Sequence, residues 1–95
     1  MKGYIVCVYK SINNENVLKE YVAKTKPAVE KYKGKFLISG GKKITTEGNE
    51  SPRTTVIEFP SFSKAEIFFY SKEYKEAHAI LKGTAVRHHQ IIEGS

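Results

Sequence analysis

Cysteine occurs once, arginine twice, and no apolar run approaches the length needed to cross a bilayer. The lone Cys7 cannot form an internal disulfide, and it sits in an alternating apolar segment where a reduced thiol behaves as a small hydrophobe. No histidine or aspartate lies near it in sequence to activate it, so it reads as buried and structural. The apolar stretch 3–9 is far too short to span a membrane, and no basic lead with a long apolar run and a small-residue cleavage site precedes it. The expectation is a cytoplasmic protein with no membrane partner. Arg53 and Arg87 are the only arginines among 16 basic residues, so the bidentate guanidinium contacts that favour phosphates and base edges are scarce. The net charge of +6 rests on lysines dispersed over the chain, as on a solvated surface, which argues against nucleic acid as a partner.

Motifs with defined chemistry are also missing. His88 and His89 are consecutive and would point to opposite faces of a strand, while His78 stands alone, so no metal site is expected. Gly40 and Gly41 lack the spacing of a phosphate loop and precede a further strand-like segment, which leaves them a backbone-bending role and implies no nucleotide cofactor. An RNA-binding sheet would need exposed aromatics on a Gly-rich third strand, and here that strand reads Arg-Thr-Thr-Val-Ile-Glu-Phe.

What is present is a clear order of hydrophobic patterns. Tyr4, Val6 and Val8 alternate with Ile5, Cys7 and Tyr9, so the first strand is apolar on both faces and belongs in the centre of a sheet. Asn13 or Asn14 can cap a helix whose stripe is Val17, Leu18, Tyr21, Val22, Val29 and Tyr32. Pro27 predicts a kink or restart in it, and Gly34 its end. Residues 35–39 form a second strand, bent at the paired glycines and able to continue over 42–46. The turn formers of 47–52 lead to a third strand, 53–59, closed by Pro60. Ser63 and Glu66 make a capping box, with Phe62 and Ile67 as its hydrophobic staple, and predict a helix from Lys64. Ser71 recaps it, since Tyr74, Ala77, His78 and Leu81 form a new face that Gly83 ends, and residues 88–93 form the last strand. The order βαββαβ predicts an α+β fold, a four-stranded antiparallel sheet with helices on one face, in a single domain over 1–95. At this size, extra burial through a homodimer is expected to help it.

Five polar or aromatic residues are candidates for a site. Glu58 lies between Ile57 and Phe59, where a carboxylate drawn out of water would gain proton affinity and could serve as a catalytic general base. Its structural alternative is an ion pair with Arg53 or a lysine. Arg53 shares the third strand, and Tyr70, Tyr74 and His78 lie on the second helical region, where they could line a ligand pocket over the sheet. Tyr74 and His78 at i, i+4 serve equally well as plain packing.

The stretches 26–41 (Lys-Pro-Ala-Val-Glu-Lys-Tyr-Lys-Gly-Lys-Phe-Leu-Ile-Ser-Gly-Gly), 56–61 (Val-Ile-Glu-Phe-Pro-Ser), 70–75 (Tyr-Ser-Lys-Glu-Tyr-Lys) and 91–94 (Ile-Ile-Glu-Gly) carry a resemblance over nearly the whole chain. It resembles domain-of-unknown-function family 1330, of the dimeric α/β-barrel superfamily. The resemblance implies a ferredoxin-like protomer whose sheet meets its twin's to make a barrel. Relatives in the superfamily include cofactor-free monooxygenases, small isomerases and haem-handling enzymes, with sites between sheet and helices. The positions that match are Gly40, Gly41, Glu58, Phe59, Pro60, Tyr74 and Glu93. Members typically carry arginine where this chain has Ser39, and often another near Leu81 and Lys82, so an anion held there in relatives lacks those partners here. Together these readings point to a small, partly apolar ligand between sheet and helices, bound by a cofactor-independent enzyme or, in the competing class, to a non-catalytic dimerisation or protein-interaction module.

Overall fold

A computed structural model describes all residues, Met1–Ser95. The elements are β1 (Gly3–Ile12), α1 (Glu15–Lys31), β2 (Lys35–Ser39), β3 (Thr54–Phe59), α2 (Phe62–Phe69), α3 (Lys72–Leu81) and β4 (Ala85–Glu93). The strands form one antiparallel sheet in the order β2-β3-β1-β4, with the doubly apolar β1 in its interior. Ile5, Cys7 and Tyr9 face the helices and are buried, whereas Tyr4, Val6 and Val8 on the opposite face are half-buried. The core therefore lies between one sheet face and the helices. There Phe59 packs on Phe68 and Phe68 on Tyr74, each at 5.0 Å between ring centroids.

The cap of α1 is Asn14, whose side chain accepts from the amides of Asn16 and Val17 at 3.0 and 3.2 Å. Leu18, Tyr21, Thr25, Ala28 and Val29 form its buried stripe. α1 runs on through Pro27 as one helix, so of the expected kink or restart there is no restart. Both Pro27 and Ala23, whose carbonyl loses its donor, are exposed, so water can satisfy the freed group. The left-handed residue that ends α1 is Lys33, with φ 65°. Gly34 has a different task, since a Cβ there would stand 2.7 Å from the Phe59 ring and from Val29.

Gly40 and Gly41 both take positive φ, 75° and 90°, and end β2. No strand follows over 42–46, which is irregular and exposed. β2 is the edge strand, and its last rung is the Gly40 amide donating to the Thr54 carbonyl at 3.0 Å. Beyond that rung the segment has no partner to hold it in a ladder. The bulge in this strand pair falls at Leu37 and not at the glycines, because Phe36 pairs with Ile57 and Ile38 with Val56.

The second helical region also begins earlier than its local pattern suggests. Ser61, not Ser63, caps α2 by accepting from the Lys64 amide at 3.1 Å, so no Ser63–Glu66 box forms. Ile67 is exposed and makes no staple with Phe62, which is itself the first helical residue. The cause is tertiary: the β3–α2 turn lies directly on Gly3, where a Cβ would stand 2.4 Å from the Ser61 carbonyl oxygen. Ser71 recaps the chain as expected, donating to the Phe68 carbonyl and accepting from the Tyr74 amide.

Candidate functional site

Arg53, Tyr9 and Arg87 stand side by side in one rung on the helix-covered face. Tyr9 pairs with Arg87 across β1 and β4, and on its other side the Tyr9 amide donates to the Arg53 carbonyl at 2.9 Å. Alternation along β4 places Arg87, His89 and Ile91 toward the helices and Val86, His88, Gln90 and Ile92 on the open face. Above the rung, the stripe of α1 supplies Tyr21, Val22 and Thr25.

The chemistry of this region centres on Arg87. Its guanidinium donates to the Tyr21 and Tyr74 hydroxyls at 3.1 and 3.2 Å and approaches the Cys7 sulfur at 3.6 Å. It also lies 5.5 Å from the Tyr9 ring centroid and 5.2 Å from that of Tyr21, a cation–π arrangement on two rings. The two hydroxyls bond each other at 2.8 Å. No carboxylate pairs with this cation. The salt bridges of the chain, Lys2–Glu58, Lys31–Glu73 and Lys43–Glu50, all use lysines.

Arg53 is similarly without an anion. One of its terminal nitrogens donates to the Ser39 hydroxyl at 3.0 Å, while its Nε is buried with no acceptor. Gly40 makes room for it, since a Cβ at that position would stand 2.7 Å from Nη1. Both arginines line a cavity of about 20 Å³ between α1 and the sheet, together with Tyr9, Tyr21, Thr25 and His89 among others. Thr25 Oγ1, in the same lining, is the second buried side-chain polar atom without a partner.

Burial controls the ionisation here. It pushes Tyr9 up to about 12, raises Tyr74, and raises the Cys7 thiol against the opposing field of Arg87. Burial foremost, with Arg87 and His78 adding to it, lowers His89 to about 4. At neutral pH Tyr9, Tyr74, the Cys7 thiol and His89 are therefore uncharged, and the fixed charges facing the cavity are the two guanidiniums.

Of the residues singled out from sequence, Arg53 lines the cavity and Tyr74 joins its hydrogen-bond network. His78 is exposed and stacks on Tyr74 from outside, 5.6 Å between ring centroids. Tyr70 is 64% exposed at the end of α2 and edge-on to Phe69, away from the cavity. Glu58 lies on the open face of the sheet, accepting from the Tyr4 hydroxyl at 3.1 Å with Lys2 at 3.9 Å. It does not converge with Tyr74 and His78. Tyr9, Tyr21, Thr25, Arg87 and His89 are not among the ligand-site candidates that the sequence offers, His89 having entered only as a rejected metal ligand. The signal that could have found Arg87 is a cation alternating with His89 and Ile91 on the inward face of a strand. The rung with Arg53 depends on strand register, which no local pattern encodes.

No curated protein matches the chain in sequence. Among solved structures, it is similar to a dimeric ferredoxin-like protein of unknown function from Jannaschia sp. CCS1, at 10% identity and TM-score 0.80, covering 99% of this chain and 100% of that one. A protein of unknown function from Rhodopseudomonas palustris gives 12% identity and TM-score 0.78 over 99% of this chain and 82% of that one. An ethyl tert-butyl ether D (EthD) family protein from Bacillus halodurans C-125 gives 13% identity and TM-score 0.64 over 100% of both chains. These likenesses establish the ferredoxin-like fold. Residues 2–95 match the family described as Domain of unknown function (DUF1330), and the chain belongs to that family.

Proposed function

We propose that this protein binds a small molecule in the cleft between α1 and the sheet, as a homodimer joined through the open sheet faces. One observation carries the ligand reading. The two buried side-chain polar atoms without a partner, Thr25 Oγ1 and Arg53 Nε, line the same cavity, beside the half-buried Arg87, which has no carboxylate. Each unpaired buried polar group costs about 1–3 kcal/mol. Such a cost collected at one place, and not scattered over the core, supports reading that place as a functional site. Screening cell metabolites by thermal shift tests it: a ligand that raises the midpoint of the wild-type protein should do so far less for Thr25→Val. An equal rise in both proteins would contradict this location.

The dimer reading rests on the open face. Tyr4, Val6 and Val8 from β1, Ile38 from β2, Val56 from β3, and Val86 and Ile92 from β4 share the open face with Thr54, Glu58, His88 and Gln90, and no helix covers these apolar side chains. Antiparallel sheets that face water carry polar residues there, so this face calls for a cover. A second copy of the same face is supported by the description of the Jannaschia protein as dimeric. On this reading Glu58, Tyr4 and Lys2 belong to the dimer face, and Glu58 orders that surface without acting as a base. Sedimentation should give a dimer at micromolar concentration and a monomer for Val6→Lys. A wild-type monomer would remove the dimer and leave the cleft untouched.

A further inference from the structure

We infer that the ligand of the cleft is an organic carboxylate, its head seated between Arg53 and the Tyr21 hydroxyl and its apolar body lying along α1. This rests on the cleft being a ligand site and goes on to fix the ligand's charge and shape. The lining of the cavity contains two arginines and no aspartate or glutamate. Burial holds Tyr9, Cys7 and His89 in the same lining uncharged near neutral pH, so no anion in the wall balances the guanidiniums.

Counting hydrogens gives the same sign. Tyr21 and Tyr74 have two hydroxyl protons between them, one of which makes their mutual bond, and both oxygens accept from Arg87. If Tyr21 donated to Tyr74, the remaining proton would belong to Tyr74, which is 2% exposed and lies outside the cavity lining, with no acceptor. The better arrangement has Tyr74 donate to Tyr21. Tyr21 then accepts twice and keeps its own proton for the cavity it lines. Arg53 Nε–H is the second donor without an acceptor, and Thr25 Oγ1 can supply a third. Donors in excess around a cation are the complement of an oxyanion.

Size fixes the rest of the molecule. The cavity, about 20 Å³, has space for about one water-sized group, so no more than the tip of a ligand's head enters it. It shares Arg53 and Val22 with an open groove of about 440 Å³ along the outer side of α1, where Leu18, Val22 and Ala23 offer apolar contact. Lys19 and Lys26 flank that groove and Glu15 is its only acid, so its field also favours an approaching anion.

Benzoate and its neutral isostere benzamide, titrated at constant ionic strength and followed by ¹H–¹⁵N NMR including the arginine Nε–H resonances, test the inference. Benzoate should shift the Arg53 Nε–H and the Thr25 amide, and benzamide should bind at least tenfold more weakly. Arg53→Gln and Thr25→Val should each weaken benzoate at least tenfold with the thermal midpoint kept, while Lys64→Gln, remote from the groove, changes it less than twofold. Benzamide binding at the same resonances as tightly as benzoate would overturn the carboxylate and leave the ligand site standing. If neither probe shifts these resonances, and water cross-peaks appear at Thr25, one buried water satisfies the cavity and both readings fall.

Discussion

At the residue scale, the arrangement that matters is a cation held by neutral groups. Arg87 is surrounded by two hydroxyls, a thiol and two aromatic rings, which fix its position without neutralising it. Tyr74→Phe removes one acceptor of the guanidinium and the hydrogen bond between the Tyr74 and Tyr21 hydroxyls, leaving a half-buried charged donor without its partner. It should cost about 2 kcal/mol in chemical denaturation. Tyr70→Phe, at an exposed position, should change stability by less than about 0.5 kcal/mol. His89 gives a pH dependence. It faces Cys7 on β1, Arg87 on its own strand, Phe69 on α2, and Tyr74 and His78 on α3. Its proton affinity in the folded state is depressed to about 4 from 6.5, so the unfolded chain binds the extra proton first. The stabilisation is complete above about pH 6.5 and is lost as pH falls toward 4, by at most about 3 kcal/mol. Denaturation curves of the wild type should weaken over that window. His89→Phe, which keeps a ring beside Phe69, should flatten it.

At the element scale, caps and ends depend on what the turn packs against. Ser61→Ala should destabilise the protein by about 1 kcal/mol, and Ser63→Ala should leave its thermal midpoint nearly unchanged, because of these two serines only Ser61 accepts from an amide of the first turn of α2. The reverse order would restore the capping box that the spacing of Ser63 and Glu66 suggests. Period-2 and period-3.6 patterns made most of the elements legible: the central β1, much of the stripe of α1, the recap at Ser71 and the alternation over 88–93 follow from nearest-neighbour chemistry, although β4 begins earlier, at Ala85. Legibility failed where distant contacts decide. The pressing of residues 61 and 62 onto Gly3 moved the start of α2, solvent access at Ala23 let α1 continue through Pro27, and the lack of a partner beyond β2 left 42–46 without a strand. The site followed the same rule. Arg53 and Tyr74 were visible as polar residues in apolar surroundings, but the rung that joins Arg53 to Arg87 through Tyr9 exists only once β3, β1 and β4 are in register.

At the scale of the whole molecule, the sheet has two faces of different composition. The inner face carries the guanidiniums, the tyrosine pair and the unpartnered donors under α1. The open face carries uncovered apolar side chains with Glu58 and its partners. The central claim is that ligand recognition belongs to the inner face and association to the other. Amide chemical-shift mapping of the ¹⁵N-labelled protein against the small-molecule fraction of a cell extract tests this division most directly. The account predicts shifts clustered at Tyr9, Tyr21, Thr25, Arg53 and Arg87, with Tyr4, Val6, Val56 and Glu58 unmoved. Shifts centred on Glu58 and Tyr4, with the α1 cleft silent, would contradict it.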